Sequence, residues 1–386
     1  MGIWDLEKTI KTNVKNANVF LESKPFRKDI YIEDGEIKII RDEVRHSVFS
    51  GAYELDALGC YVVPTFVDSG CFALGSKTVN KELPKLNDRE YKRFGFFSFI
   101  TSLNILDKTE RLLAQKQYVK SFKSIGMSAR FLTGGLKDKA YHTSENIYKD
   151  IYSEENCVGA AVLYNDSYGS IDKKRLVKLC IQVEAAAYDK ISSGAVFLFL
   201  GDLTLNLEML FDLLREKPGR EKTIIPWFVN RGQALLDSGI DYLKIGGCIN
   251  LVAGVNKSDT DEDFIPLSEA LIKIYEKRGS LDGVVASSFC GGYMPSTDEN
   301  TMPQRGMIVN LYVEIRKAIE DGLPIFEAIK VLATNPIKIF DIQTRKIEVD
   351  SYANFLIIDK NLNIKYIIDG DKVINPDSFK NPVLFL

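Results

Sequence analysis

The sequence predicts an α/β protein: a (β/α)8 TIM-like barrel with a small β domain built from both chain ends. Three observations predict it. The middle of the chain alternates short apolar strands with amphipathic helical stretches, giving eight candidate barrel strands. Both ends read instead as consecutive strands and turns. The length of 386 residues, with 45% hydrophobic and 27% charged, suits one large core plus a smaller one. The expected division is a composite β domain over 1–60 plus 340–386 and a barrel over 61–339.

Taken in order, Asp29-Ile-Tyr-Ile-Glu33 and Glu36-Ile-Lys-Ile-Ile40 flank Asp34-Gly35, a strong two-residue hairpin signal. Tyr61–Asp68 is a buried strand running into a loop and opens the barrel. The further barrel strands are expected at Phe96–Asn104, Ser128–Thr133, Cys157–Tyr164, Ala195–Leu200, Thr223–Val229, Ile249–Val252 and Gly283–Ser287. Between them, Thr109–Ile125 (closed by Gly126), Asp172–Lys190 and Leu205–Arg215 each fit a helical period. The chain ends on strands at Ala353–Asp359 and Ile364–Gly370, and Asp369-Gly370-Asp371 turns into Lys372–Ile374.

Composition excludes several classes. A net charge of -3 gives no electrostatic footprint for nucleic acid. No apolar run approaches the roughly 20 residues that span a bilayer. The start, Met1-Gly-Ile-Trp-Asp-Leu6, has no basic stretch followed by an apolar one, and Leu6 stands where a myristoylation signal wants Ser or Thr. Six cysteines (60, 71, 157, 180, 248 and 290) are scattered without a CxxC pair, as expected of buried thiols in a cytoplasmic protein.

The segment Pro64-Thr-Phe-Val-Asp68-Ser-Gly70-Cys-Phe72 resembles the first barrel strand of the amidohydrolase superfamily, Pro-Gly-Phe-Ile-Asp-x-His-x-His. Within that superfamily the likeness is to isoaspartyl dipeptidases and runs through roughly residues 30–375. Phe197-Leu-Phe-Leu-Gly-Asp202 and Pro226-Trp-Phe-Val-Asn-Arg231 resemble that family's His-Met-Gly-Asp and Thr-His-Val-Asn-Arg. Gly246-Gly-Cys-Ile-Asn250 and Ala286-Ser-Ser-Phe-Cys-Gly-Gly292 resemble Gly-Gly-Thr-Ile-Asp and Ser-Ser-Asp-Gly-Asn-Gly. Ala333-Thr-Asn-Pro336 and Ala353-Asn-Phe-Leu-Ile-Ile358 also match superfamily wording. The resemblance implies a barrel of the metal-dependent hydrolase type with a composite β-sandwich domain.

It also implies a binuclear metal site, and here the residues depart from the pattern. The strand-one histidine pair is matched by Gly70 and Phe72, and the bridging carboxylated lysine of strand four by a position on or beside Ala161. Phe199 and Phe228 stand for the histidines ending strands five and six, and Phe289 for the strand-eight aspartate. None of these side chains binds a divalent cation, which wants imidazole, carboxylate or thiolate. With only two histidines in the chain, His46 and His142, imidazoles from elsewhere hardly make up the set. Of the family's substrate groups, Asn230 and Arg231 remain. Its tyrosine is matched by Leu136, its strand-four-loop arginine falls near Tyr168, and its glycine-rich stretch reads Ala73-Leu-Gly-Ser-Lys77.

Phenylalanine at such positions has a physical logic. An emptied site costs roughly 24 cal/mol per Å3 of residual cavity, and Phe fills space without needing polar partners. Phe72, Phe199, Phe228 and Phe289 are expected to converge and pack edge to face. The leading expectation is a catalytically inactive homologue with no metal cofactor, surviving as a binding or assembly partner: a homo-oligomer, with an active paralogue as another partner. One alternative is a metal-independent hydrolase of C–N bonds in an amide, a dipeptide or a small amino-acid derivative, using Arg231 and a thiol nucleophile at Cys71 or Cys290. Another is a binder of small apolar ligands at the Phe-lined mouth. Cys71 is expected to point away from Gly70 and Phe72. Asp68 and Asp202 are expected to make structural hydrogen bonds, and Asp259-Thr-Asp-Glu-Asp263 to be a solvated loop.

Overall fold

The computed structural model describes residues 11–21, 24–43, 51–75, 85–103, 109–134, 146–164, 170–201, 204–254, 264–292, 306–342 and 346–379. The chain forms two compact units: Met1–Thr65, Lys92–Gly95 and Gln343–Leu386 in one, Phe66–Tyr91 and Phe96–Ile342 in the other.

The first unit begins with β1 (Thr12–Leu21), β2 (Lys24–Glu33), β3 (Glu36–Arg41), β4 (Tyr53–Asp56) and β5 (Tyr61–Pro64). The Asp34-Gly35 turn joins β2 to β3, and its two residues take φ of 54° and 74°, the left-handed pair of a two-residue hairpin. The expected Tyr61–Asp68 strand divides in two. Tyr61–Pro64 pairs within the first unit, Thr65 interrupts, and Phe66–Cys71 starts the barrel. Pro64 lacks the N–H a continuous ladder would use, and Thr65 turns its hydroxyl to Asn354 Oδ1 at 2.7 Å. The boundary therefore falls after Thr65, not after residue 60.

The second unit is the barrel. Its strands are β6 (Phe66–Cys71), β7 (Phe96–Thr101), β8 (Ser128–Gly134), β9 (Cys157–Tyr164), β10 (Ala195–Leu200), β11 (Ile224–Trp227), β12 (Ile249–Val252) and β13 (Val284–Ser287). They form one eight-stranded sheet in sequence order, every neighbouring pair parallel. The seam between first and last strands is bridged by Phe289 N–H to Gly70 O at 3.1 Å and Phe72 N–H to Cys290 O at 2.8 Å. Helices lie between the strands where periodicity puts them. Asp172 caps Lys173–Lys190 by accepting from Arg175 N–H at 2.8 Å. The Thr109–Ser121 helix tightens into a 3-10 turn, Phe122–Ile125, ended by left-handed Gly126. The sixth strand stops at Trp227 rather than Val229, because Phe228 turns left-handed (φ 80°).

After the barrel the chain returns to the first unit as β14 (Asn354–Ile358), β15 (Ile364–Asp369) and β16 (Lys372–Ile374). The sheet order β16-β15-β14-β5-β1-β2-β3, with β4 on β1, interleaves both chain ends. Val14, Ile30, Ile37, Val62, Phe355 and Ile368 share its buried cluster. Phe340 and Ile342 instead belong to the barrel's buried cluster, so that boundary lies after Ile342 rather than before 340. Among the described residues no helix is long and apolar enough to cross a membrane.

Candidate functional site

In such barrels chemistry is carried at the C-terminal ends of the strands, and here aromatic rings meet there. Alternation along β11 sends Ile225 and Trp227 into the barrel's buried cluster. The Trp227 indole stacks on Phe72 (centroids 5.7 Å, 21°) and meets Phe199 edge-on (5.4 Å, 84°). Phe289 touches every member: 5.0 Å from Phe72 at 83°, 6.0 Å from Trp227, 6.0 Å from Phe228 and 6.1 Å from Phe199. All but half-buried Phe199 are buried. The four phenylalanines thus converge as the sequence implies, around a tryptophan that the motif comparison passes over.

Trp227 also explains Gly70. A Cβ at residue 70 would lie 2.6 Å from Trp227 Cζ2 and 2.9 Å from Ser287 Cβ, closer than real contacts allow. The indole takes the space a strand-one side chain would use. Ala161, fully buried on β9, lies in the same cluster, and its carbonyl oxygen is 2.6 Å from where a Gly134 Cβ would stand.

Two of these phenylalanines sit in backbone conformations that L-residues avoid. Phe228 has φ 80° and Phe289 φ 55°, a cost of about 1–2 kcal/mol each. Backbone bonds hold both: Phe228 N–H donates to Asn250 O at 3.0 Å, and Phe289 N–H to Gly70 O.

A polar layer adjoins the rings. Trp227 Nε1–H donates to Ser287 Oγ (3.0 Å), the Ser287 hydroxyl to Asn250 Oδ1 (2.7 Å), and Asn250 Nδ2–H to Ser69 O (3.1 Å). Asp68, fully buried, accepts from Tyr91 OH (2.6 Å), Ser288 Oγ–H (2.5 Å), Ser288 N–H (2.9 Å) and Gly70 N–H (3.2 Å). Burial pushes its carboxyl up to about 6, against the pull of the Ser288 and Tyr91 bonds. Its bonds tie the first strand to the turn after the last, the structural role expected of it.

The remaining candidates are occupied by the fold. Asn230 lies in the 3-10 turn Val229–Arg231. Its Nδ2 donates to Val252 O (2.9 Å) and Ile265 O (2.8 Å), and its Oδ1 accepts from Val252 N–H (2.9 Å). Both of its amide protons are thus spent within the protein. Arg231 is 8% exposed, donates from Nη1 to Leu200 O (3.2 Å) and sits 5.9 Å over the Phe228 ring. Cys71 faces Tyr91 and Thr101, away from the rings, and burial pushes its thiol well above the usual range. Fully enclosed within the barrel, it offers a substrate no thiolate. Cys290 gives its backbone to the seam, accepting from Phe72 N–H and donating to Ser288 Oγ at 3.0 Å. All six cysteines are free.

His46, Lys77, Leu136, His142, Tyr168, Asp202 and Asp259–Asp263 lie outside the described residues. Among the described residues, no three His, Cys, Asp or Glu side chains gather as a metal site would need. Of the polar partners, Tyr91 lies outside the matched motifs, and Ser287 and Asn250 lie inside them without being singled out. The inward parity of β11 was a signal for Trp227.

A sheet of eight parallel strands in sequence order, bridged at its seam and accompanied by a mixed sheet from both termini, is the fold of amidohydrolase barrels. The particular likeness is to the β-aspartyl dipeptidase of the thermophilic keratin degrader Fervidobacterium islandicum AW-1, solved with a β-Asp-Leu dipeptide. It superposes with a TM-score of 0.84 at 23% identity, over 98% of this chain and 99% of that one. Dihydropyrimidinase from Brevibacillus agri NCHU1002 shares the fold at TM-score 0.66 and 12% identity, over 95% of each chain. Molinate hydrolase does so at 0.63 and 12%, over 97% of each. No protein-family model matches the chain.

Proposed function

We propose that this chain is a catalytically silent counterpart of the dipeptidase-like amidohydrolases, without their binuclear metal site, that works as a binding or assembly partner. The observation that carries this reading is the ring-filled mouth, where Phe72, Trp227, Phe228 and Phe289 are each at most 3% exposed. Hydrolysis there would need ligating atoms and room for water. Gly70, Phe72, Ala161, Phe199, Phe228 and Phe289 supply no donor for a metal. The residues present do not fit a binuclear centre. The thiol-hydrolase alternative is disfavoured by the buried, protonated Cys71.

An assembly role draws support from apolar side chains left in the open on one helix and its end. Ile181, Tyr188 and Ile191 are 50%, 83% and 91% exposed. The expected partner is a second copy of the chain. Six free thiols support a reducing compartment such as the cytoplasm.

The test is metal analysis and turnover on the purified full chain, with its mass in solution measured alongside. We expect substoichiometric zinc, no hydrolysis of a β-aspartyl dipeptide above buffer, and a mass that falls toward the monomer in Tyr188→Glu. Stoichiometric metal with turnover would overturn the silent-barrel reading. A monomeric wild type would overturn self-assembly alone.

A further inference from the structure

A cleft of about 440 Å3 opens at the end of the barrel opposite the aromatic cluster. Its walls are the segments leading into the later strands: Gly194 precedes β10, Thr223 β11, Cys248 β12 and Gly283 β13. The volume falls within the roughly 300–1,000 Å3 of small-molecule sites. Leu243, Cys248 and Ile339 give it an apolar wall.

Two ammonium groups set its charge. Lys222 and Lys338 both line the cleft and are exposed, and no described residue draws either into an ion pair. The other charged groups there are already engaged. Arg278 donates to Ser280 O (3.2 Å) and Asp282 O (3.0 Å), and the Asp282 carboxylate pairs with Lys330 at 3.1 Å. Burial pushes the Cys248 thiol up while Lys222 and Lys338 both act against that rise, so the two cations bear on one sulfur. The helices Gln233–Lys244 and Leu267–Arg278 end beside this cleft, and their C-terminal dipoles oppose an anion by about 0.3–1 kcal/mol each. Arg278, in the last turn of the second helix, offsets part of that term, while Lys244 is paired with Asp241 at 2.8 Å.

We propose that this cleft binds a small organic anion, its apolar body against Leu243, Cys248 and Ile339 and its carboxylate or phosphate between Lys222 and Lys338. The site is remote from the strand ends that carry amidohydrolase chemistry, and it stands whether or not the barrel mouth is silent.

Cys248 reports on the cleft directly. The full chain is treated with dithiobis(nitrobenzoate), a dianionic aromatic disulfide, and separately with neutral dithiodipyridine; peptide mass mapping isolates modification at Cys248. In both reactions the thiol loses its proton to buffer, its sulfur bonds to one reagent sulfur, and the other half of the reagent leaves. We expect the anionic-to-neutral rate ratio to fall about tenfold in Lys222→Glu/Lys338→Glu. Benzoate or phenyl phosphate should slow modification of the wild type, and benzyl alcohol should not. Protection by benzoate marks a carboxylate site, and protection by phenyl phosphate alone a phosphate site. A ratio unmoved by charge reversal, or equal protection by benzyl alcohol, overturns the proposal. Lys222→Gln/Lys338→Gln gives the same reading, at smaller amplitude, should the reversed pair melt early.

Discussion

Replacing Phe289 tests the aromatic cluster at its centre. The ring lies 5.0–6.1 Å from four others and is 3% exposed. Truncation to alanine removes roughly 2 kcal/mol of transfer energy, and an unrelaxed cavity of roughly 100 Å3 adds roughly 2 kcal/mol more. The expected loss is about 3–5 kcal/mol. Glycine supplies an internal control. At an ordinary position it is about 0.5–1 kcal/mol worse than alanine. At φ 55° it relieves about 1–2 kcal/mol of left-handed strain that alanine keeps. Phe289→Gly should therefore match or exceed Phe289→Ala by about 1 kcal/mol. The chain has two tryptophans, so Trp4→Phe leaves Trp227 as the sole fluorescent reporter, inside the cluster. Urea titrations followed by its emission measure each variant. A loss below about 1 kcal/mol for Phe289→Ala, or glycine clearly worse than alanine, refutes the packed left-handed cluster.

Gly70→Ala should cost about 1–3 kcal/mol by overpacking against Trp227, and much less in a Trp227→Leu background. Additive losses in that double-mutant cycle would show that the indole does not exclude a side chain there. Asp68 gives a pH signature. Its folded pKa, raised to about 6, makes the native state bind the proton more tightly than the unfolded chain. That contribution is full below about 4, lost as pH rises through about 6, and worth about 3 kcal/mol. Asp68→Asn should flatten the stability profile between those values relative to wild type, and parallel profiles would exclude the assignment. Native Cys71 should resist iodoacetamide at pH 8 while urea-unfolded protein is labelled there. Rapid native labelling would reopen the thiol mechanism.

The strand–helix rhythm made the barrel legible because its fully buried strands are short apolar runs bounded by turn residues. The Asp34-Gly35 hairpin was legible because two left-handed residues in a row leave few residue choices. The cluster's membership was legible only position by position, as substitutions in matched motifs. Its geometry was not. Trp227 is invisible to motif matching, since the matched pattern assigns its neighbour, Phe228, to the site. The strand was expected to continue through Phe228, and no local signal marks the left-handed turn that ends it. Asn230 entered as a residue retained from the matched strand-six motif, and a motif match does not say where a carboxamide points. Whether a carboxamide faces a ligand or a neighbouring strand's carbonyl such as Val252 O depends on contacts across tens of residues.

The left-handed phenylalanines show what fixes this backbone. Neither ring benefits from a positive φ as such, and glycine would adopt it without strain. Yet Phe289 N–H is one of the bonds that bridge the barrel seam, and Phe228 N–H joins the sixth strand to the seventh. Forfeiting a buried backbone bond costs about 1–3 kcal/mol, at least as much as the strain of each turn. Closure of the barrel therefore dictates these conformations whatever side chain stands there. Glycine would satisfy the backbone and leave a cavity; phenylalanine accepts the strain and fills it. At Gly70 the balance reverses, because the indole already fills the space and any Cβ collides with it. The same packing argument thus selects phenylalanine at four strand ends and, two residues before the first of them on the same strand, glycine.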